Sequence, residues 1–156
     1  MTRQTDLYTS PADGNIINKT VHIHAPAPKV WEALTNLELM KKWMFETEIS
    51  ITTDWNVGSP IVMRGNLNGK NFENNGTVLQ FEPEKILRYT HLSSLSRLAD
   101  KPENYSVLEF RVAPIENQTA LTLTLSNFPT ESIYKHLAFY WNVTLEVLKR
   151  RLEEHG

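Results

Sequence analysis

Hydrophobic residues recur at helical spacing along residues 130–154. The apolar positions of this stretch are Ile133, Leu137, Tyr140, Trp141, Leu145, Leu148 and Leu152. Because 3.6 residues complete one turn of a helix, this spacing places them on one face. Charged residues lie mostly on the other faces, as water-facing positions do. The pattern therefore predicts one long amphipathic helix of about 37 Å at 1.5 Å per residue.

Before this helix, apolar and polar residues alternate in a series of short segments, which is typical of strands. The predicted strands cover residues 17–24, 49–53, 61–67, 70–74, 77–82, 86–92, 107–112 and 120–128. Asn68-Gly69 is the strongest hairpin signal, since this pair favours the tight turn between antiparallel strands. Asn75-Gly76 has two interpretations: a second turn, or a bulge within one long bent strand.

Two short helices are predicted after the first strand. The first covers 28–35 with Pro28 in its first turn, and the second covers 37–43 with Asn36 as its N-cap. The strands that follow are consecutive and joined by short turns, so the sheet should be antiparallel. We therefore predict an α+β fold, in which a curved antiparallel sheet of about six to seven strands wraps around a long C-terminal helix.

Size and composition narrow the class of protein. The chain has 156 residues, 40% of them hydrophobic, which suits one globular domain at 16–156 preceded by a flexible arm at 1–15. A formal net charge of −2 gives no attraction to nucleic acid. No apolar run is long enough to span a bilayer, and no apolar signal segment is present. The chain has no Cys, which excludes disulfides and thiol catalysis. We expect a cytoplasmic protein without membrane insertion.

Alternation also predicts which side chains face the long helix. The candidate ligand-binding residues on this inner face are Leu79, Phe81, Tyr89, His91, Leu108, Phe110, Leu123, Leu137, Tyr140, Trp141, Thr144 and Leu148. Apolar walls with a few polar groups are typical of small-molecule pockets. The same residues also suit a filled core in which the hydroxyls are hydrogen-bonded. Both interpretations stay open at this point.

Few residues suggest catalysis or metal binding. His91 with Tyr89 or Tyr140 could form an acid–base pair, although a lone inward His is more often structural. His22 and His24 share one strand face, but a zinc site needs at least one further protein ligand, and none is near in sequence. No nucleophile elbow, phosphate loop or dinucleotide fingerprint occurs, so we expect no cofactor and no metal.

Several motifs occur in an order that resembles the helix-grip superfamily. They are residues 21–35, 42–43, 76–79 with Pro83, 119–123, 141–145 and 148–149. That superfamily includes the lipid-transfer domains related to steroidogenic acute regulatory protein, the birch-pollen allergen and polyketide cyclases. Within it, the likeness is strongest to homologues of the C-terminal domain of the heat-shock-protein-90 ATPase activator. The long loop 93–104 and the short stretch 127–131 differ from the family pattern and should alter the entrance of a cavity.

The resemblance implies three functions. The first is a binding module that holds a small hydrophobic or amphipathic molecule between the sheet and the helix. The second is a co-chaperone or protein-interaction domain, with a chaperone as partner. The third is an enzyme of the cyclase, aromatase or hydrolase type, which would need polar groups that converge in the pocket. A homodimer is also expected for a small cytoplasmic domain. We favour the binding module, because the inner helix face carries aromatic residues and no carboxylate.

Overall fold

The computed structural model describes residues 15–155, so residues 1–14 of the predicted arm lie outside the described residues. The strands are β1 Ile16–Ile23, β2 Ile49–Thr52, β3 Pro60–Leu67, β4 Lys70–Glu82, β5 Ile86–Ser93, β6 Ser106–Ile115 and β7 Gln118–Ser126. The helices are α1 Ala27–Thr35, α2 Leu37–Met44 and α3 Glu131–His155. This element order confirms the predicted two short helices after the first strand and the long closing helix.

The strands form one seven-stranded antiparallel sheet in the order β1-β7-β6-β5-β4-β3-β2. β1 pairs with β7, so the first and last strands are neighbours, and the other strands follow as a meander. The sheet curves around α3, which confirms the predicted α+β helix-grip fold. The inner face of the sheet carries buried side chains at every second position, as in Leu121, Leu123 and Leu125 of β7.

Local sequence signals account for several boundaries. Asn36 accepts hydrogen bonds from the backbone N–H groups of Glu38 and Leu39, at 3.0 and 3.1 Å, and so caps α2 as predicted. Asn68 and Gly69 both have left-handed backbone angles, with φ of 53° and 84°. These angles are those of the predicted tight hairpin between β3 and β4.

The two interpretations of Asn75-Gly76 resolve as one long strand, β4. A Cβ on Gly76 would lie 1.7 Å from the carbonyl oxygen of Thr90, so the two strands approach each other more closely than any side chain allows. The next N–H, of Thr77, donates to the Thr90 hydroxyl at 2.8 Å. The regular ladder of backbone hydrogen bonds between β4 and β5 is therefore interrupted at this point.

The predicted inward position of Leu79 is wrong. Val78 pairs with Tyr89 and Gln80 pairs with Arg88, which leaves Leu79 as an inserted bulge residue in β4. The insertion breaks the alternation between Phe81 and Leu79 that the prediction assumed. Leu79 is 40% exposed on the outside of the sheet.

Helix α3 is attached to β1 along its C-terminal half. The Lys149 ammonium group donates to the His22 carbonyl at 2.6 Å, and the Glu153 carboxylate accepts from the His24 N–H at 2.9 Å. Lys19 donates to the Asn142 carbonyl at 3.3 Å. Beneath these contacts, Leu145 and Leu148 are fully buried in the core. This half of the helix therefore lies tightly against the sheet.

Gly76→Ala should destabilise the protein by about 2 kcal/mol or more, because the added methyl group meets a backbone carbonyl that cannot move independently. Gly65→Ala is the control, since its Cβ would meet only side-chain atoms of Ile49 and Phe72, at 2.8 Å. We expect a smaller loss there. Urea unfolding midpoints measure both losses. Equal losses in the two variants would contradict the close approach of the strands at Gly76.

Candidate functional site

A cavity of about 740 Å³ lies between the N-terminal half of α3 and the inner face of strands β3 to β6. Its apolar lining residues are Trp43, Met44, Phe45, Met63, Leu67, Phe72, Leu92, Leu95, Leu108, Ile133, Leu137, Phe139, Trp141, Val143 and Val147. The end of α2 closes one side, where the Tyr140 hydroxyl donates to the Met44 carbonyl. The cavity therefore begins where α3 leaves the sheet.

Aromatic rings form the boundary between the cavity and the packed core. Trp141 lies edge-on against Trp43 and Phe110, with ring centroids 6.1 and 5.6 Å apart. Phe45 stacks on Phe72 at 5.8 Å, on the side of the sheet edge. Edge-to-face and offset-stacked pairs of this kind have defined geometry. The rings make this wall of the cavity well packed.

Strand pairing brings polar side chains together on the cavity floor. His91 of β5 pairs with Ser106 of β6, so both side chains face the same side of the sheet. Asn74 of β4 pairs with Ser93 of β5 in the same way. All four residues border the cavity, and Ser106 and Asn74 are buried. The floor is therefore polar at its centre, while the walls are apolar.

His91 is uncharged at neutral pH. Burial lowers the pKa of its imidazole from the ordinary value of 6.5 to about 4, and repulsion from His136 on α3 adds to the effect. Burial also raises the pKa of Tyr140 to about 12 and that of Tyr89 above its usual range. The cavity thus disfavours the charged form of each of these groups.

These shifts bear on the predicted acid–base pair of His91 with Tyr89 or Tyr140. A general acid or base works best when its pKa lies near the working pH. Here the pKa of His91 lies well below 7 and those of both tyrosines lie well above it. The pair is therefore poorly matched to proton transfer at neutral pH.

The predicted site residues divide between the cavity and the packed core. Those that border the cavity are Tyr89, His91, Leu108, Leu137, Tyr140, Trp141 and Thr144. Phe110, Leu123 and Leu148 face inward but are buried in the packed core. Phe81 packs between Trp31 and Trp55, with ring centroids 5.4 and 5.6 Å away. The alternation of apolar and polar residues identified the inner face of the sheet. It did not show which part of that face is packed beneath the helix and which part borders the cavity.

The predictions missed the polar residues Asn74, Ser93, Ser106 and His136 of the cavity, and also Lys42, Glu46, Thr47 and Asn104. Asn74 and Ser106 follow the alternation of Phe72 and Leu108 on their strands, so the period of two could have included them. His136 lies one helical turn before Tyr140, and their rings stack at 6.2 Å. The prediction depended on the pattern of apolar residues, so it left out these polar residues.

The other surface features are less suited to ligand binding than the cavity. A shallow depression beside strands β2 to β4 is lined mostly by polar residues, including the ion pair of Arg64 and Glu73 at 2.8 Å. His22 is exposed on the outer face of β1, and His24 is exposed directly after the strand ends. Over residues 15–155, no group of three or more potential metal ligands comes together. Within that same range, no helix is long and apolar enough to cross a membrane.

Comparison with known protein families identifies the family of this chain. The family model described as "Activator of Hsp90 ATPase homolog 1-like protein" matches residues 24–153. The chain belongs to this family. The match begins directly after β1 and covers all the later elements through most of α3, so it includes the described residues that line the cavity.

Solved structures that are similar to this chain support the same assignment. The solution structure of ChR145 from Cytophaga hutchinsonii is 41% identical, with a TM-score of 0.76, and the match covers 89% of this chain and 94% of that one. The Aha1 dimer from Colwellia psychrerythraea is 29% identical, with a TM-score of 0.69 and coverage of 88% and 96%. CalU16 from Micromonospora echinospora, at 22% identity, TM-score 0.67 and coverage of 86% and 74%, shares the fold. A comparison with curated protein sequences gives no match.

Protonation of His91 should destabilise this domain in acid. The unfolded chain binds the proton near pH 6.5, whereas the folded protein does so only near pH 4. Stability is therefore unaffected above pH 6.5 and falls as the pH drops between these values, by at most about 1.4 kcal/mol per pH unit. His91→Phe should show a shallower loss than the wild type across this range, measured by urea unfolding at successive pH values.

His22→Phe serves as the matched control, because His22 is exposed on the outer face of β1. Its stability should follow the wild-type pH dependence. If His91→Phe and the wild type lost stability in parallel between pH 6.5 and 4, the uncharged state of His91 would be disproved.

Proposed function

We propose that this domain binds a small hydrophobic or amphipathic molecule in the cavity between the sheet and α3. The observation that carries the proposal is the composition of the cavity. Its volume of about 740 Å³ falls within the range of small-molecule pockets, and its walls are mostly apolar with a few polar groups on the floor. We place this binding in the cytoplasm, as the sequence predicts.

The entrance of the cavity supports the same function. Phe139 and Val143 of α3 are 73% and 47% exposed, and Leu67 and Leu95 on the opposite side are 46% and 39% exposed. All four side chains border the cavity, and we call them the apolar rim. An apolar rim gives a hydrophobic ligand a favourable path from water or from a carrier into the cavity.

Blocking the floor of the cavity should abolish binding. In Ser106→Phe the new ring would occupy the space above β6, because Ser106 is 1% exposed and borders the cavity. Native mass spectrometry of the purified wild type should show a retained small molecule, and titration with pyrene should show saturable binding. We expect Ser106→Phe to lose both signals.

Val107→Phe is the matched control, since Val107 is the next residue along β6 and faces the outside of the sheet. It should bind as the wild type does. If Ser106→Phe folds with the wild-type circular dichroism spectrum and still binds pyrene with unchanged affinity, the cavity is not the binding site.

The apolar rim also favours a second function, as a protein-interaction domain. Exposed apolar patches often mark contact surfaces. The family name refers to activation of a chaperone ATPase, and a relative from Colwellia psychrerythraea is described as a dimer. The partners to test for binding to the apolar rim are therefore a chaperone and a second copy of this chain.

Phe139→Ser should separate the two functions, because Phe139 is the most exposed residue of the rim and hardly contributes to the core. If the rim is a protein contact, the variant should weaken binding to purified chaperone or self-association at least tenfold, measured by analytical ultracentrifugation. Lys135→Ser, an exposed position on the same helix away from the cavity, is the control. No binding by the wild type at micromolar concentration would eliminate this second function.

A further inference from the structure

The imidazole of His91 faces the cavity. His91 follows the buried Tyr89 by two residues on β5, so its ring lies on the inner face of the sheet, where it borders the cavity. Neither of its ring nitrogens has a hydrogen-bond partner among residues 15–155, and neither is fully enclosed by protein. The space that these nitrogens meet is therefore the cavity itself. Because polar groups in protein interiors are almost always paired, this imidazole is suited to bind a polar group of a ligand.

The polarity of the cavity changes from its floor to its entrance. On the floor, His91 pairs with Ser106 across the strands, and Ser106 is 1% exposed. At the entrance, the four side chains of the apolar rim are 39% to 73% exposed. A ligand with its polar end on the floor bonds to the polar groups there and covers the rim with its apolar end. The reverse orientation would place hydrocarbon against His91 and a polar end against the rim, which is unfavourable at both places.

The polar end that fits this floor is uncharged. Burial lowers the pKa of His91 to about 4, so at pH 7 its ring is neutral and can donate one hydrogen bond and accept another. The Ser106 hydroxyl can also do both. The acidic and basic residues, other than histidines, that border the cavity are Lys42 and Glu46, and both are exposed. An ionised group on the floor would therefore lose its water without gaining a counter-charge.

We propose that the ligand is a neutral amphiphile, which binds with its polar end against His91 on the cavity floor and its apolar end at the apolar rim. This inference rests on the proposed binding function, and it adds the class of the ligand, its orientation and the residue that holds its polar end. The polar end can be a hydroxyl, amide or carbonyl group, since His91 both donates and accepts. A long-chain primary alcohol has these properties and is the probe for the tests.

The contacts of bound 1-decanol test the orientation in the wild-type protein. We expect isotope-filtered NOE spectra at pH 7 to show the carbinol methylene group close to the His91 ring and the terminal methyl group close to the Phe139 ring. The proton resonances of the two ends are well separated, so each contact can be assigned. If the methyl group is close to His91 and the carbinol group is close to Phe139, the proposed orientation is wrong.

Competition with pyrene tests the class of the polar end. 1-Decanol should displace pyrene from the wild type at pH 7. Decanoate has a chain of the same length but an ionised end, and it should need at least a tenfold higher concentration for the same displacement. If decanoate displaces pyrene as well as 1-decanol does, the polar end need not be neutral and the ligand class is overturned.

His91→Leu tests whether His91 holds the polar end. Leucine has a similar volume and forms no side-chain hydrogen bond. The affinity for 1-decanol should therefore fall about fivefold or more, as the loss of one net hydrogen bond allows, while pyrene, which has no polar end, should still bind. His91→Gln keeps a donor and an acceptor and should retain most of the affinity for 1-decanol. His22→Leu is the control, because His22 is exposed on the outer face of β1, and it should bind 1-decanol as the wild type does.

The outcomes distinguish this inference from the proposed function. If pyrene binds but 1-decanol does not displace it, or if His91→Leu leaves the affinity for 1-decanol unchanged, the inference fails while the cavity still binds. It also fails if His136→Leu weakens 1-decanol and His91→Leu does not, because the polar end then lies against α3. If neither pyrene nor 1-decanol binds, the inference and the proposed function both fail. The NOE contacts need only the wild type, so they decide the orientation even if His91→Leu does not fold.

Discussion

One helix has to cover the inner face of a seven-stranded sheet, and the rest of the structure depends on how it does so. Lys149 and Glu153 attach the C-terminal half of α3 to the backbone of β1, and Leu145 and Leu148 are fully buried beneath it. A straight helix held at one end against a curved sheet cannot remain in contact with every strand. Its N-terminal half therefore stands away from β3 to β6, and the space between them is the cavity.

The position of the cavity explains its unusual polarity. Where α3 contacts the sheet, every inward residue of β7 is either apolar or hydrogen-bonded. For example, the Thr119 hydroxyl donates to the Ala25 carbonyl at 2.7 Å. Where α3 leaves the sheet, the floor carries Asn74, His91 and Ser106. Polar residues on an inner face weaken folding unless they are paired. Proteins depart from the rules of core composition mainly at functional sites, which is the physical basis for proposing that a ligand binds in this region.

Much of the fold could be predicted from the sequence. The spacing of apolar residues in α3 predicted both ends of the helix to within one residue. Asn36 identified the N-cap of α2, and Asn68-Gly69 identified the hairpin between β3 and β4. These features depend on residues that are close in the sequence, so a local sequence pattern is enough to predict them. Leu79 was misplaced because a single inserted residue reverses the alternation, and no local pattern reveals which residue is inserted.

The candidate site was predicted only in part, for a different reason. Alternation separates inward from outward residues, and it correctly placed Tyr89, Leu108 and Phe110 inside. Whether an inward residue borders a cavity or is packed depends on the tilt of α3, which contacts between distant residues determine. The Lys149–His22 bond joins residues 127 positions apart. Asn74 and Ser106 were omitted because the predicted core was chosen by hydrophobicity.

Helix α3 is held against β1 at its C-terminal half, and the cavity that it borders at its N-terminal half is the proposed ligand site. Amide hydrogen exchange along α3, with and without saturating pyrene, tests both statements, because each amide reports local opening. The account predicts that the ligand slows exchange at residues 133–144 and in β4 to β6, and leaves residues 148–153 unchanged. Equal slowing along the whole helix, or slowing confined to β1 and the outer face of the sheet, would contradict it.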